Sequence, residues 1–369
     1  MACTESSPTP SGPDALLAER IAAGLDITLL RAVSDAEDAL ARIDERLAKS
    51  ALSDGFCART HFYDASAALW LAGELVPLED LVLHDAGMDL RAPTHELTRA
   101  AATLRARRRI AASPPGRFLT RPEALRDDKT PPSAQEEDVE TPPLPPCAAD
   151  LLAAELAALD AAIERSAQIL RAPTPDDDPG RALLYDADLD AGAGLSRWRR
   201  EVEATESLPA TLAAAIALDA WSAIDPLPRQ DWLGPLLVAD LLRRRGKARA
   251  HLPALHVGLR AIPRERRRSR SAGDRIAAAL EAIVAGARLG LDEHDRLALA
   301  KATLDRRCQN LRRNARLPAL AELALSTPLL TAPMIAAALG VTARAAQDMA
   351  PALGLRELTG RSRFRAWGV

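Results

Sequence analysis

Apolar residues in this chain return at intervals of three and four, and most of them are Ala or Leu. No other feature constrains the fold as much. Ala, Leu, Arg and Glu lose little rotamer freedom in a helix, so the sequence favours helices along most of its length. Runs of β-branched residues long enough for a sheet core are missing, and aromatic residues make up only 3%. The reading is a mostly α protein: helical bundle domains ending in a winged helix-turn-helix.

Proline divides the pattern. Residues 113–149 hold nine prolines and the acidic run "EED", the composition of a flexible linker, partly polyproline II. The 369 residues leave room for about two or three domains. Five segments are expected: residues 1–29, disordered or weakly helical; a helical domain over 30–112; the linker over 113–149; a second helical domain over 150–314; and the helix-turn-helix over 315–369.

Local signals place the helices. Ser34 and Glu37 have capping-box spacing, which predicts a helix from there to about Lys49. Asp54 opens the next helix, to about Glu74. Pro77, Gly87 and Pro93 mark further starts and an end. "AADLLAAELAALDAAIERSAQILR" (148–171) reads as an amphipathic helix. Helices are expected near 195–207 and 209–223, from Trp232 to Arg245, and from "HLPALHVGLR". "PRERRRSRSAG" reads as a basic loop, either solvated or supplementing a polyanion contact. Two helices follow, 272–289 and 293–314, the second capped by Asp292.

The net charge of −3 hides an asymmetry. From residue 236 onward there are 25 Lys/Arg against 11 Asp/Glu, a net +14, whereas residues 1–235 carry −17. A basic back half points to a polyanion partner or to a solvated Arg-rich surface. The four cysteines are isolated, with no C-x-x-C pair, so neither zinc site nor disulfide framework is indicated; a reducing, cytoplasmic setting fits. No apolar run approaches the roughly 20 residues needed to span a bilayer. His61, His84 and His95 stand among acids without metalloenzyme spacing, and His251 and His256 are five apart; all read as structural or surface histidines. Neither a cofactor nor a metal is indicated, and no catalytic residue is assigned.

The carboxyl end carries the most specific signal. Ala332–Leu339 and Ala343–Leu353 are expected helices joined by Gly340-Val341-Thr342. Gly340 permits positive φ, Val341 fits between the helices and Thr342 caps the second. Alanines 337, 345 and 346 let the helices approach. In this geometry the last helix lies in the major groove. Arg344 and Gln347 suit guanine and adenine edges, and Thr342 suits a phosphate. Asp348 is a mixed sign. In "RELTGRSRFRAW", Arg361, Arg363 and Arg365 alternate along a strand and share one face, forming a wing for phosphate or minor groove. Double-stranded DNA is the expected partner and transcriptional regulation the expected role. A homodimer would match two half-sites. The competing use of such a module is protein contact, as an adaptor.

"LWLAGELVPLEDLVLHDAGMDLRAPTHELTRAAATLRARRRIAA", "WLGPLLVADLLRRRG", "HLPALHVGLR" and "ELTGRSRFRAWG" together resemble an uncharacterised bacterial family. Its members pair a domain of unknown function with a C-terminal helix-turn-helix DNA-binding domain. A more remote likeness is to Fic proteins, which transfer nucleotidyl groups. "WLGPLLVADLLRRRG" resembles the helix after their catalytic loop, and "LVPLEDLVLHDAG" the segment after their inhibitory helix. Residue by residue, the catalytic His position falls on Ile224 and the G-N-G-R positions on Arg229, Gln230, Asp231 and Trp232. The inhibitory Glu falls on Ala72. The resemblance therefore implies a degenerate scaffold, with a Fic-like transferase as the rival enzymatic reading.

Overall fold

The structure is a computed structural model that describes residues 27–89, 92–120, 122–125, 179–228, 230–310, 316–358 and 365–369. The expected helix at 148–171, the first 26 residues, Arg229, Arg361 and Arg363 lie outside the described residues.

Helices dominate, as the Ala/Leu spacing requires. The elements are α1 (Ile27–Ala48), α2 (Ser53–Leu71), α3 (Leu78–Asp85), α4 (His95–Ala112) and the short α5 (Arg117–Thr120). After a 3-10 turn, Pro122–Leu125, come α6 (Pro179–Ala204), α7 (Ala210–Ile224), α8 (Leu233–Arg244), α9 (Leu255–Arg260), α10 (Arg264–Arg267) and α11 (Ala272–Asn310). The last part is α12 (Leu317–Ser326), β1 (Leu330–Thr331), α13 (Ala332–Leu339), α14 (Ala343–Leu353), β2 (Arg356–Glu357) and β3 (Ala366–Gly368).

The centre is α7. Every residue from Ala210 to Trp221 is buried, which is what a helix apolar on all faces demands. Its alanines let α1, α8 and α11 pack around it. Trp198 of α6 donates its indole N–H to the Ala217 carbonyl at 2.9 Å. Its ring meets Trp221 edge-on, with centroids 5.2 Å apart, a favoured aromatic geometry.

Helices on either side of residues 126–191 form one compact unit, where the sequence reading divided them at the Pro-rich segment. Buried polar contacts show why. Arg107 of α4 donates to Asp64 Oδ2 of α2 at 2.7 Å and to the carbonyls of Leu252 and Pro253 at 2.7 and 3.1 Å. Asp64 also accepts the Val257 N–H at 3.1 Å and lies 2.9 Å from His256 Nδ1. His256 Nε2 donates to the Trp232 carbonyl at 3.0 Å, leading into α8. Burial raises the Asp64 carboxyl's pKa, but the Arg107 and His256 charges and their hydrogen bonds outweigh it and hold it well below the carboxylate range.

Four local expectations are corrected. Ser34 does not start a helix, because α1 already runs from Ile27. Glu37 instead caps a distant helix: its Oε1 accepts from Thr211 N and Oγ1 at 3.1 and 3.0 Å, at the start of α7. Residues 113–125, assigned to the linker, are packed in their first part. Phe118 and Leu119 are buried, and Asp240 accepts the Gly116 N–H at 3.0 Å. The two helices expected over 272–314 are one continuous α11 to Asn310. Gly286 and Gly290 act there as close-approach positions, not breaks: Gly286 faces the Ala254 carbonyl and Gly290 faces Ile43. The basic loop contains a helical turn, α10, in which Arg266 pairs with Glu281 and Arg267 donates to the Ile262 carbonyl at 3.0 Å.

Among the described residues no helix is long and apolar enough to cross a membrane.

Candidate nucleic-acid interface

The described residues from 316 onward form three helices beside a small antiparallel sheet of order β1-β3-β2. Leu330 pairs with Trp367 and Thr331 with Ala366; Arg356 pairs with Gly368 and Glu357 with Trp367. The core of this module is Leu320, Ile335, Ala346, Ala350, Leu353 and Trp367, all buried. All three residues of β3 are buried: Trp367 belongs to this module's core, and Ala366 joins the core cluster of Phe62, Leu81 and Leu104 in the helical unit.

The turn between α13 and α14 follows the sequence closely. Gly340 sits at φ 61°, the left-handed cap that ends α13. Thr342 is extended, and its Oγ1 accepts the Ala345 N–H at 3.2 Å, capping α14. Its hydroxyl hydrogen is left to donate outward. An unforeseen arginine secures the turn: Arg316 donates to the carbonyls of Leu339 and Gly340, the latter at 2.8 Å. Of the three alanines expected between the helices, Ala346 is fully buried and Ala345 partly so, while Ala337 is exposed.

α14 is two-faced. Ala346, Met349, Ala350 and Leu353 are buried; Thr342, Arg344, Gln347 and Asp348 are exposed. Arg344 and Gln347 are three apart and share the outward face near the helix start, where the macrodipole also favours an anion. Gly354, at φ 79°, closes α14, with the N–H of Leu355 bonded to the Ala350 carbonyl at 3.0 Å. Arg307 at the end of α11 stacks against Gly354, so a Cβ there would collide with its guanidinium.

The β2–β3 hairpin carries the remaining charges. Arg365 is exposed, and its Nε stands 3.8 Å from Glu357 Oε1 across the hairpin, too far for a hydrogen bond. Arg356 on β2 is also exposed; the sequence reading passed over it because a single Arg before "ELTG" has no periodic partner. The structure therefore brings Thr342, Arg344 and Gln347 onto one helix start and puts Arg365 on the hairpin. Residues 316–369 hold six arginines against three acids.

The module is bolted to the helical unit. Arg59 of α2, 2% exposed, donates from Nη1 to the carbonyls of Thr327 and Ala324 at 2.6 and 3.2 Å, satisfying the end of α12. Its Nε donates to Glu293 Oε1 at 3.1 Å and its Nη2 to the Tyr63 hydroxyl at 2.9 Å. Arg296 of α11 donates to the Val369 carbonyl at 2.7 Å.

Comparison with known proteins agrees with this layout. Residues 183–309 match the family described as "Protein of unknown function (DUF1612)". Residues 317–369, from the first residue of α12, match the family described as "HTH DNA binding domain". The "Uncharacterized protein y4cF" of Sinorhizobium fredii (strain NBRC 101917 / NGR234) is 42% identical over 371 residues, covering 92% of this chain and 97% of that protein. The chain therefore belongs to the same bacterial family as y4cF, and its architecture is a DUF1612 segment followed by a helix-turn-helix DNA-binding domain.

Proposed function

We propose that the protein is a transcriptional regulator that reads duplex DNA through α14 and the β2–β3 hairpin, the module acting as a winged helix-turn-helix. The observation that carries this reading is the two-faced α14, with Arg344 and Gln347 projecting outward beside a capped helix start. Arg344 suits the O6/N7 edge of guanine and Gln347 the N6/N7 edge of adenine, each worth roughly 1–3 kcal/mol of discrimination. Thr342 donates to a phosphate at the groove edge. Arg361, Arg363 and Arg365 meet the backbone or the minor groove. Asp348, on the same face, disfavours phosphate and rejects registers that bring the backbone close to it. Two copies would engage half-sites about one helical turn apart.

The test is equilibrium binding to random-sequence duplex as a function of salt. The expected result is a linear fall of log K with log salt, shallower by about one for each wing arginine replaced by Ala. A salt-independent signal, or none at all at low salt, would refute the proposal. Because the wing arginines and Arg344 are separate contributors, Arg344→Ala with Arg363→Ala should weaken retention by more than either change alone, without loss of helicity.

A further inference from the structure

A hollow of about 470 Å3 lies where α2 and α9 end and α10 begins. Trp70 of α2 lines it, with Arg260 of α9 and Arg264, Arg267 and Arg268 of the α10 turn. Arg264, Arg267 and Arg268 are three and four apart, so they share one side of that turn. Arg266 leaves on another side and pairs with Glu281. The Arg260 guanidinium stands over the Trp70 ring, 5.1 Å from its centroid. Arg267 is half-buried and fastened by one bond, from Nε to the Ile262 carbonyl at 3.0 Å. Both of its Nη groups lack a partner among the described residues, and Arg264 and Arg268 make no ion pair there. Other half-buried arginines of this unit do not stand open in this way. Arg243, Arg245 and Arg275 spend both Nη groups on carbonyls and carboxylates.

Four guanidinium groups thus line the hollow against one carboxylate, that of Asp231. Asp231 is already engaged: its Oδ1 accepts the Trp232 N–H at 3.0 Å and stands 3.6 Å from Arg99 Nη2. The carbonyl ends of α2 and α9 add roughly half a negative charge each, which leaves about two positive charges in the lining unmatched. Glu265, on the α10 turn, lies outside the lining. Burial first, then the charges of Arg268 and Arg264, outweigh it and hold Arg267 below its usual pKa. In the adjoining hollow, which Arg267 and Arg268 also reach, Asp219 is paired with Arg275 and Asp225 makes no ion pair among the described residues. Donors therefore converge here without acceptors. A carboxylate offers about four lone-pair sites, fewer than three open guanidinium forks can fill. A phosphoryl group carries about −1.5 to −2 and three strong acceptor oxygens, and the planar fork fits it in a two-bond grip.

We propose that this hollow binds a compact oxyanion of the phosphate class between Arg264, Arg267 and Arg268, with Arg260 and Trp70 as its wall. The site uses none of the residues assigned to DNA above, and it stands whether or not α14 reads sequence. Its concavity suits a small ligand and not the convex backbone of a duplex.

Titration calorimetry on the full chain at fixed ionic strength, with pyrophosphate and malonate as probes, tests the site. Pyrophosphate should bind one per chain, about tenfold or more tighter than the dicarboxylate malonate. Arg268→Gln should weaken pyrophosphate about tenfold, and Arg264→Gln by a similar factor. Both side chains are exposed, so the fold is kept. Arg270→Gln removes the same charge from the same segment, but Arg270 is outside the lining; it should change the affinity by less than about twofold. Failure of pyrophosphate to bind, equal affinity for malonate, or equal losses in the Arg268→Gln and Arg270→Gln chains would overturn the site. Duplex binding by the same variants separates the two sources of phosphate. An Arg268→Gln chain that loses duplex affinity and keeps its pyrophosphate affinity would assign these arginines to a nucleic-acid backbone and overturn the small-ligand site.

Discussion

Arg59 engages all three nitrogens of its guanidinium group: with a carboxylate, a phenol and two carbonyls at the end of α12. Arg59→Met would keep the chain volume and strand those partners. Breaking a buried charge pair from one side typically costs about 3–5 kcal/mol. Chemical denaturation should show a loss of that size, and amide exchange at Ala324–Thr327 should quicken first. Neither Arg59 nor the Asp64–His256–Arg107 cluster was legible in the sequence. Asp64 and His256 are 192 residues apart, and a carboxylate and an imidazole carry no mark of a partner at that distance. Capping residues next to their helices were legible, because Thr342 and Gly340 act within a few residues of themselves. Glu37 shows the limit of that logic: a correctly spaced box residue caps another helix altogether.

At the scale of elements, α11 shows how a cap signal misleads. Asp292 reads as the cap of a second helix, but α11 runs straight through it. Gly286 and Gly290 are the thin side of this long helix, against which α9 and α1 lie. The tightest approach to backbone is at Gly258 of α9, where a Cβ would overlap the carbonyl of Ala282. Backbone cannot step aside as a side-chain tip can. Gly258→Ala should therefore cost about 3 kcal/mol or more, at the upper end for overpacking. Gly290→Ala meets mainly the flexible end of Ile43 and should cost under about 1 kcal/mol. Thermal unfolding of the two variants separates these cases; equal losses would contradict the packing argument. The helix-turn-helix was the most legible element, since its turn, caps and buried stripe all lie within some twenty consecutive residues.

For the whole molecule, the division of charge between front and back halves serves the fold as well as a partner. Lys247 pairs with Glu37 at 2.6 Å, Arg249 with Asp44 at 3.4 Å, and Arg275 with Asp219 at 2.5 Å. The sequence could count these cations but not see that they were already engaged. Stability should also be sensitive to acid in two ranges. Burial first, then the charges of Arg107 and Arg108, press His61 down to about 3. Its folded pKa lies below the unfolded value of 6.5, so the unfolded chain binds the proton first. Stability contributed by neutral His61 is then complete above about pH 6.5 and falls as pH drops toward 3. For Asp44, burial raises the pKa, but His251 and the Ala250 N–H outweigh it and bring the carboxyl to about 2. Its contribution is complete above about pH 4 and is lost between there and pH 2. Denaturation midpoints measured from pH 7 to 3 should fall throughout, and His61→Phe should flatten the upper part of that slope.

The central claim is that the exposed face of α14 reads DNA sequence. Selection from a random duplex library, run in parallel with the native chain and with Arg344→Ala plus Gln347→Ala, tests it most directly. The account predicts that the native chain enriches a motif with guanine and adenine at neighbouring positions, repeated about one helical turn apart, and that the double variant binds the library but enriches nothing. Enrichment of the same motif by both chains, or by neither, would contradict it.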